Sequence, residues 1–259
     1  MHLINGINVL EAWQQGLAHV ISNNKEQFNL FLCVTNPTFY EKDWLTQYNP
    51  KRILKTASGI ADVINTIFPI KLYNTTDTRE QFYIKYIQRH LRGGRIGGAK
   101  HDRWGTYFLR LICYERTIKI KQTIGRRSST EIISEKLDIL GANNQLERVI
   151  LALSTWGTNA RSSLYCHISS PDMDALKPLG NPCLQYIEFT QPLPNTIDLV
   201  AVYRSHDYFN KALGNLIGLG QLLQFVCSAS GKTAGKLVCH SIRGYVDVSK
   251  ANANSLLGT

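Results

Sequence analysis

The spacing of apolar residues along the chain predicts both helices and strands. In the segment 8–22, Val9, Trp13, Leu17 and Val20 recur at close to helical spacing. The same criterion predicts helices over 8–22, 58–67, 79–90, 146–155 and 213–229. Apolar runs and alternating patterns predict strands over 28–34, 162–168, 184–190, 198–204 and 236–241. These elements do not alternate regularly, so we predict an α+β fold, a mixed β-sheet flanked by helices, rather than a doubly wound fold.

The segments between residues 92 and 127 are less regular. Residues 92–103 hold four glycines among Arg, Lys and His residues, a composition that suits either a mobile connection or a phosphate cradle. They lack the Gly-Lys-Ser/Thr ending of a P-loop, so we favour a mobile connection. Residues 104–114 predict the start of a strand or helix, and 117–127 predict a hairpin.

The length and composition predict one large domain. The 259 residues are 44% hydrophobic, enough for a sizeable core, and we expect a single domain spanning 1–259. The longest uncharged stretch, 212–231, contains Asn215 and four glycines. It is therefore less apolar than a transmembrane helix and predicts a buried core helix. The N-terminus has neither a basic start nor a long apolar run, so we predict no signal peptide and no membrane association.

The cysteines favour a reduced, cytoplasmic protein without a metal site. None of the six belongs to a C-x-x-C pair, which argues against zinc ribbons and thioredoxin-like motifs. Their apolar surroundings are typical of buried thiols. The six are Cys33, Cys113, Cys166, Cys183, Cys227 and Cys239.

The net charge of +10 favours an anionic partner. A nucleotide phosphate, a nucleic acid and a polyglutamated cofactor all fit, and so does a merely solubilising surface. The basic residues are scattered rather than aligned with aromatic residues, so a nucleic acid ranks last among these partners.

The most informative pattern lies in the last third of the chain. Pro182-Cys183-Leu184-Gln185 is followed by Arg204-Ser205-His206-Asp207 and then by Gly214-Asn215. If the turn at 191–195 pairs the two flanking strands, Cys183 and Arg204 face each other at the strand ends, where a guanidinium would stabilise a thiolate. On pattern alone, Cys183 is also compatible with a buried core thiol, and Arg204 with a surface ion pair to Asp207.

The other polar groups of this pattern suit a nucleotide. Arg204 and Ser205 offer a charged fork and a hydroxyl for a phosphate. Asn215 begins an apolar helix, and a buried amide must find partners for its donor and acceptor. A pyrimidine edge carrying O4 and N3–H matches both, whereas a helix-capping role is the alternative.

This order and spacing resemble the thymidylate synthase family, in which a cysteine after Pro precedes Arg-Ser-x-Asp and then Asn. The match covers roughly residues 161–247, about a third of the chain. The resemblance implies that Cys183 adds to C6 of a pyrimidine and makes C5 nucleophilic. It further implies that Arg204 and Ser205 bind the phosphate, Asp207 helps to hold the ring and Asn215 reads the base.

The resemblance implies further residues at the site and a homodimer packed sheet on sheet. Arg161, in Asn159-Ala160-Arg161-Ser162, matches the arginine that the family donates to the partner subunit's phosphate, although the family often has two. Tyr107, in Trp104-Gly105-Thr106-Tyr107, matches a Gly-x-x-Tyr segment near the active site.

Several positions depart from the family pattern. Tyr245 and Asp247 stand where the family has His and Tyr on the sugar-binding strand, and a carboxylate there suits ribose hydroxyls. The family also has a catalytic glutamate on an early helix, and Glu80 is the only candidate for it in this sequence. The sequence ends twelve residues after Asp247, without the family's folate-closing segment, so the implied methylenetetrahydrofolate is an open expectation.

The sequence thus predicts a transferase that modifies a pyrimidine nucleotide at C5, by methyl or hydroxymethyl transfer, through a covalent Cys183–C6 adduct. The alternative is a nucleotide-binding protein of the same fold that has lost the chemistry. A nucleic-acid binder is the third hypothesis. The base, the sugar and the one-carbon donor stay open at this point.

Overall fold

The computed structural model describes residues 1–91, 106–113, 139–141, 143–174 and 180–258. The predictions for 92–103 and 117–127, and the residues Trp104 and Gly105, lie outside the described part. The expectation of one domain over 1–259 stays a prediction.

The described residues form an α+β fold, as predicted. The strands are β1 (His2–Gly6), β2 (Glu26–Val34), β3 (Tyr165–His167), β4 (Leu184–Leu193), β5 (Thr196–Tyr203), β6 (His206–Asp207) and β7 (Thr233–Tyr245). The helices are α1 (Val9–Ser22), α2 (Trp44–Gln47), α3 (Ile60–Ile67), α4 (Arg79–Leu91), α5 (Tyr107–Ile112), α6 (Gln145–Thr155), α7 (Pro171–Asp174), α8 (Ala212–Ser230) and α9 (Lys250–Leu257). Short 3-10 helices lie at Pro50–Arg52 and Gly157–Ser163. The strand β1 and the helix α9 were not predicted from the sequence pattern.

A mixed sheet forms the centre of the fold. Its strand order is β1-β2-β7-β5-β4-β3, and β6 continues the line of β5 beside β7. β1 pairs with β2, and β5 and β6 pair with β7, in parallel. The other neighbours are antiparallel. The long strand β7 therefore joins the N-terminal strands to the β4–β5 hairpin that carries the cysteine motif.

One face of the sheet is buried and the other is partly open. Along β5, Ile197, Leu199 and Ala201 are buried, whereas the alternating Val200 and Val202 are only half-buried. This period of two is the expected signature of a sheet with one covered face. Helices α1 and α8 contact the central strands and supply the cover of the buried face.

Helix α8 is the core helix that the uncharged stretch predicted. It is apolar on all sides, a pattern typical of a fully enclosed helix. By length and composition alone it could cross a membrane, but 83% of its most apolar stretch is buried inside the protein. Its apolar composition is thus explained by burial in the core of the protein.

A row of irregular positions crosses the sheet near the cysteine motif. On β2, Asn29 has a left-handed φ of +52°, which asparagine tolerates better than most residues. The β4–β5 register shifts by one residue around Gln185. Between β5 and β6, residues 204–205 leave the ladder while the pairing with β7 keeps the same register.

This row changes which side chains face the helices. In a regular strand, Tyr203 and His206 would point to opposite faces, because they are three positions apart. In the structure both are buried, and their rings stack at a centroid distance of 4.0 Å. The partner positions on β7, Ser241 and Gly244, are buried as well. The irregularity therefore turns His206 into the core.

Glycine 214 lets α8 approach α3 closely. A Cβ built on Gly214 would lie 2.7 Å from Cβ of Val63 and 3.1 Å from the carbonyl oxygen of Ile60. Those distances leave no room for a methyl group without movement of the α3 backbone. The contact fixes the first turn of α8, which carries Asn215.

We predict that Gly214→Ala lowers the free energy of unfolding by about 1–2 kcal/mol. Overpacking costs about 1–3 kcal/mol, and the better helix propensity of alanine returns at most about 1 kcal/mol. Urea unfolding measures the difference. The control is Gln224→Ala on the exposed side of the same helix, which we expect to be nearly neutral. A Gly214→Ala protein as stable as the wild type would contradict the close packing.

Candidate active site at the open end of the β4–β5 hairpin

Cys183 and Arg204 lie opposite each other at the open end of the hairpin. A turn at Pro194-Asn195 connects β4 and β5, whose pairing ends at Leu184 and Tyr203. The amide of Arg204 then donates to the carbonyl oxygen of Cys183 at 2.9 Å. The pairing expected from the turn is present, and the half-buried thiol lies where the ladder ends.

The guanidinium of Arg204 holds the segment before the cysteine. Its Nε donates to the carbonyl oxygen of Pro182 at 3.0 Å, and a terminal nitrogen donates to that of Asn181 at 2.9 Å. Two of the five N–H groups are thereby used, and the side chain is exposed. The remaining N–H groups suit an anion in solution.

The alternative of an Arg204–Asp207 ion pair is wrong for the described residues. The carboxylate of Asp207 instead accepts from the amides of Phe209 and Asn210 and from Nδ2 of Asn210, at 2.7–3.0 Å. These bonds close the turn that leads into α8. Burial raises the pKa of Asp207, and the hydrogen bonds from Asn210 and Phe209 act in the opposite direction.

Tyr107 lies against the start of β4. Its phenol oxygen accepts from the backbone amides of Leu184 and Cys183. The pKa of Tyr107 is raised, and burial is the largest cause. Cys183 raises the pKa further, whereas Arg204 lowers it. Tyr107 lies on α5, whose N-cap is Thr106. Tyr107, which matched the family's Gly-x-x-Tyr segment, is thus a neighbour of Cys183.

Tyr245 ends β7, and Asp247 follows it by two residues. Burial raises the pKa of Tyr245, and the charges of Asp207, Cys183 and Asp247 add to the rise. Tyr245 is half-buried at the end of β7, with the guanidinium of Arg243 at 4.7 Å from the centre of its ring. Asp247 is exposed two residues later.

Asn215 joins the cluster through two stacked rings. Tyr203 interacts electrostatically with Cys183 and stacks on His206, and Nδ2 of Asn215 lies 3.1 Å from Nε2 of His206. Asn215 is 4% exposed and lies inside the first turn of α8, where Lys211 is the N-cap residue. The capping alternative is therefore wrong, and the amide has a side-chain partner in the core.

His206 is the residue of this cluster that the sequence did not single out. It is 1% exposed, and its Nδ1 lies 2.9 Å from Oγ of Ser241. Burial lowers its pKa to about 3, so the ring is neutral near neutral pH. Its position within Arg204-Ser205-His206-Asp207 could have marked it as part of the site. The alternation of a regular strand, however, does not predict that both Tyr203 and His206 are buried.

Arg161 and Glu80 do not join the described cluster around Cys183. Arg161 is exposed on the 3-10 helix that leads into β3. The neighbouring Leu164 accepts a bond from the amide of Phe189, about 16 Å along β4 from Leu184 at about 3.3 Å per residue. Glu80 lies in the first turn of α4.

A cavity of about 210 Å³ lies beside the N-terminus of α8. It is lined by Lys51, Ser58, Asp62 and Lys211 among others, and Lys211 donates to the hydroxyl of Ser58. Nζ of Lys51 lies 3.5 Å from Asp62. Through Lys211, whose amide donates to the carbonyl oxygen of Asp207, the cavity adjoins the site. Asp62, rather than Glu80, is the carboxylate that this cavity supplies.

The described residues thus define an α+β protein with a cysteine, an arginine and a set of buried tyrosines at one end of its sheet. No protein-family model matches the sequence. A curated protein of Methanococcoides burtonii, "Putative thymidylate synthase", is 27% identical over 146 residues. The alignment covers 56% of this chain and 62% of that protein, so this chain spans less than two thirds of its relative. The relative carries the name of the family that the motifs resemble, and the similarity extends over about half of this chain.

We predict that acid destabilises the protein through His206. Its pKa of about 3 in the folded protein lies below the ordinary value of 6.5. Between pH 6.5 and 3 the histidine is protonated in the unfolded chain but neutral in the folded protein. The free energy of unfolding therefore falls as the pH decreases from about 6.5 towards 3. The contribution is about 1.4 kcal/mol per pH unit for one proton. Urea unfolding at pH 7, 6, 5 and 4 measures the slope.

The matched variant is His206→Phe, which keeps a flat ring and cannot be protonated. We expect it to be less stable at pH 7 and to lose stability less steeply below pH 6. If its slope equalled that of the wild type, His206 would not be the group that titrates.

Proposed function

We propose that this protein binds a pyrimidine mononucleotide at the open end of the β4–β5 hairpin and modifies its ring at C5 through Cys183. The observation that carries the proposal is the placement of a half-buried thiol directly across the strand end from an exposed guanidinium. The similarity to a relative named as a thymidylate synthase supports the same class of substrate.

The phosphate would bind to Arg204 and Ser205. Arg204 has N–H groups beyond the two that hold the carbonyl oxygens of Asn181 and Pro182. Ser205 lies in the bend between β5 and β6, where the chain leaves the ladder. A guanidinium and a hydroxyl on adjacent residues suit the oxygens of one phosphate.

The sugar would lie along the end of β7. Tyr245 is half-buried and interacts electrostatically with Cys183, and Asp247 is exposed two residues later. A phenol and a carboxylate two residues apart suit the hydroxyl groups of a ribose. Asp207 would help to hold the ring indirectly, because its carboxylate fixes the turn before α8.

The chemistry would begin with addition of the Cys183 thiolate to C6. The electron pair of the C5–C6 double bond moves to C5 and the C4 carbonyl, which makes C5 nucleophilic. C5 then attacks a one-carbon electrophile, and the hydrogen at C5 leaves as a proton. The bond between the transferred carbon and its carrier breaks, water adds to that carbon to give a hydroxymethyl group, and elimination of the thiolate restores the ring. A methyl product would need a hydride donor in place of water. Arg204, beside the cysteine segment, would stabilise the thiolate form.

A folate such as methylenetetrahydrofolate fits the charge of the neighbouring cavity. Lys51 and Lys211 line this cavity and suit the carboxylates of a folate, while Asp62 adds an acidic group. When bound, the folate would supply the one-carbon unit. The donor is proposed on this charge and on the family resemblance.

We predict that Cys183→Ala abolishes release of tritium from C5 of the preferred nucleotide among UMP, dUMP, CMP and dCMP. Without the sulfur no adduct forms at C6, and C5 keeps its hydrogen. Nucleotide binding, measured by thermal shift, should persist because the phosphate and sugar contacts remain. Cys33→Ala is the matched control, since that thiol is also half-buried but lies on β2.

Nucleotide binding and tritium release by the wild-type protein distinguish an enzyme from a nucleotide-binding protein without activity. Saturable binding without any tritium release would indicate a nucleotide-binding protein that has lost the chemistry. Retention of oligonucleotides without binding of mononucleotides would contradict both.

We also propose that the protein forms a homodimer through the open face of its sheet. This face carries half-buried or exposed side chains on successive strands, where Phe31 stacks on His240 at 4.1 Å and Val202 and Val238 lie close by. A contiguous apolar face of this kind marks an interaction surface. A second copy can cover it in a self-complementary way, and the exposed Arg161 would then be available to the partner's phosphate.

We predict that Val202→Glu converts the dimer into a monomer, because a two-fold interface would bring two copies of the new carboxylate into an apolar contact. Sedimentation velocity measures the mass in solution. The control is Leu193→Glu at the hairpin tip, where the side chain is already 62% exposed. A wild-type protein that sediments as a single chain at all concentrations would contradict the proposal.

A further inference from the structure

A chain of hydrogen bonds runs from Asn215 into the core. Nδ2 of Asn215 lies 3.1 Å from Nε2 of His206, and Nδ1 of His206 lies 2.9 Å from Oγ of Ser241. Oγ of Ser241 lies in turn 3.1 Å from the phenol oxygen of Tyr208. All four residues are at most 4% exposed. This set, called here the His206 relay, has no charged member at neutral pH.

The imidazole of the relay allows two polarities. In the first, Asn215 donates to Nε2 and Nδ1–H donates to Ser241, whose hydroxyl can either donate to Tyr208 or accept from it. In the second, Nε2–H donates to the amide oxygen of Asn215, Ser241 donates to Nδ1, and Tyr208 donates to Ser241. A neutral imidazole has one donor and one acceptor nitrogen, so it cannot mix the two. The amide orientation in the structure corresponds to the first.

The stacking on Tyr203 prevents the imidazole from turning away from this arrangement. The two rings are nearly parallel, at 4°, and 4.0 Å apart. The ring also lies within 4.0 Å of the sulfur of Cys239. His206 is therefore fixed on several sides, and its tautomer and the amide of Asn215 must change together.

We propose that His206 is a positioning residue that makes the site selective for one pyrimidine base by fixing the amide orientation of Asn215. This inference rests on the proposed function, in which Asn215 reads the base. Uracil presents an acceptor at O4 and a donor at N3, whereas cytosine presents a donor at N4 and an acceptor at N3. Rotation of the amide by 180° exchanges its oxygen and nitrogen and would therefore exchange one base for the other.

A free asparagine amide would accept either base after such a rotation. The relay opposes that rotation, because the rotated amide faces Nε2 with its oxygen, which is a buried mismatch of two acceptors as long as the imidazole keeps the first polarity. Binding of the other base therefore requires the amide, the imidazole and the hydroxyl of Ser241 to reverse together. A buried unsatisfied polar group is costly, so the wrong base is rejected. The selectivity thus depends on residues that do not themselves touch the nucleotide.

The decisive variant is Ser241→Ala, which keeps the imidazole but removes the acceptor for Nδ1–H. Binding of uracil and cytosine mononucleotides with the same sugar gives an affinity ratio for each protein. We expect a ratio of about tenfold or more for the wild type and a ratio near one for Ser241→Ala. His206→Phe should give the same loss of ratio. Ser230→Ala, at a buried serine on the far end of α8, is the control and should keep the wild-type ratio.

The tautomer itself is measured by nitrogen NMR of the histidine ring in the wild type. The proton is expected on Nδ1, and a proton on Nε2 would overturn the relay. A merely structural role for His206 predicts that Ser241→Ala weakens both bases equally, so an unchanged ratio would also overturn it. Failure of the wild type to bind any of the nucleotides would instead refute the proposed function.

Discussion

The arrangement of the candidate site depends on the row of irregular positions that crosses the sheet. A regular ladder would place Tyr203 and His206 on opposite faces. Because residues 204–205 leave the ladder without changing the register against β7, both rings reach the buried face, and Arg204 is left at the strand end beside Cys183. The irregularity at residues 204–205 thus exposes the guanidinium of Arg204 and buries the neutral imidazole of His206.

The core supports this arrangement from the helical side. The absence of a side chain at Gly214 lets α8 lie close to α3 and sets the position of Asn215 against His206. Tyr107, from α5, binds the amides at the start of β4. The site is therefore formed by residues on the sheet and held by two helices, an organisation that favours precise geometry over mobility.

Much of the fold was predictable from local pattern. The helical spacing that includes Trp13 and Leu17 gave α1, and the uncharged run gave α8 as a buried helix. The turn at Pro194-Asn195 gave the hairpin and hence the pairing of Cys183 with Arg204. Short elements such as β1 were missed, because five residues with a mixed pattern do not stand out against the surrounding chain.

The sequence by itself determined the residue types of the site and the order in which they come, since turns and periodicity are local properties. Only the tertiary structure decided that His206 is a buried partner of Asn215, that Asp207 closes a turn instead of pairing with Arg204, and that Asp62 lines the cavity beside Lys211. These contacts join segments whose relative positions follow from the sheet register and from the packing of α3 on α8. No local pattern encodes them, because each depends on what a distant strand or helix places opposite.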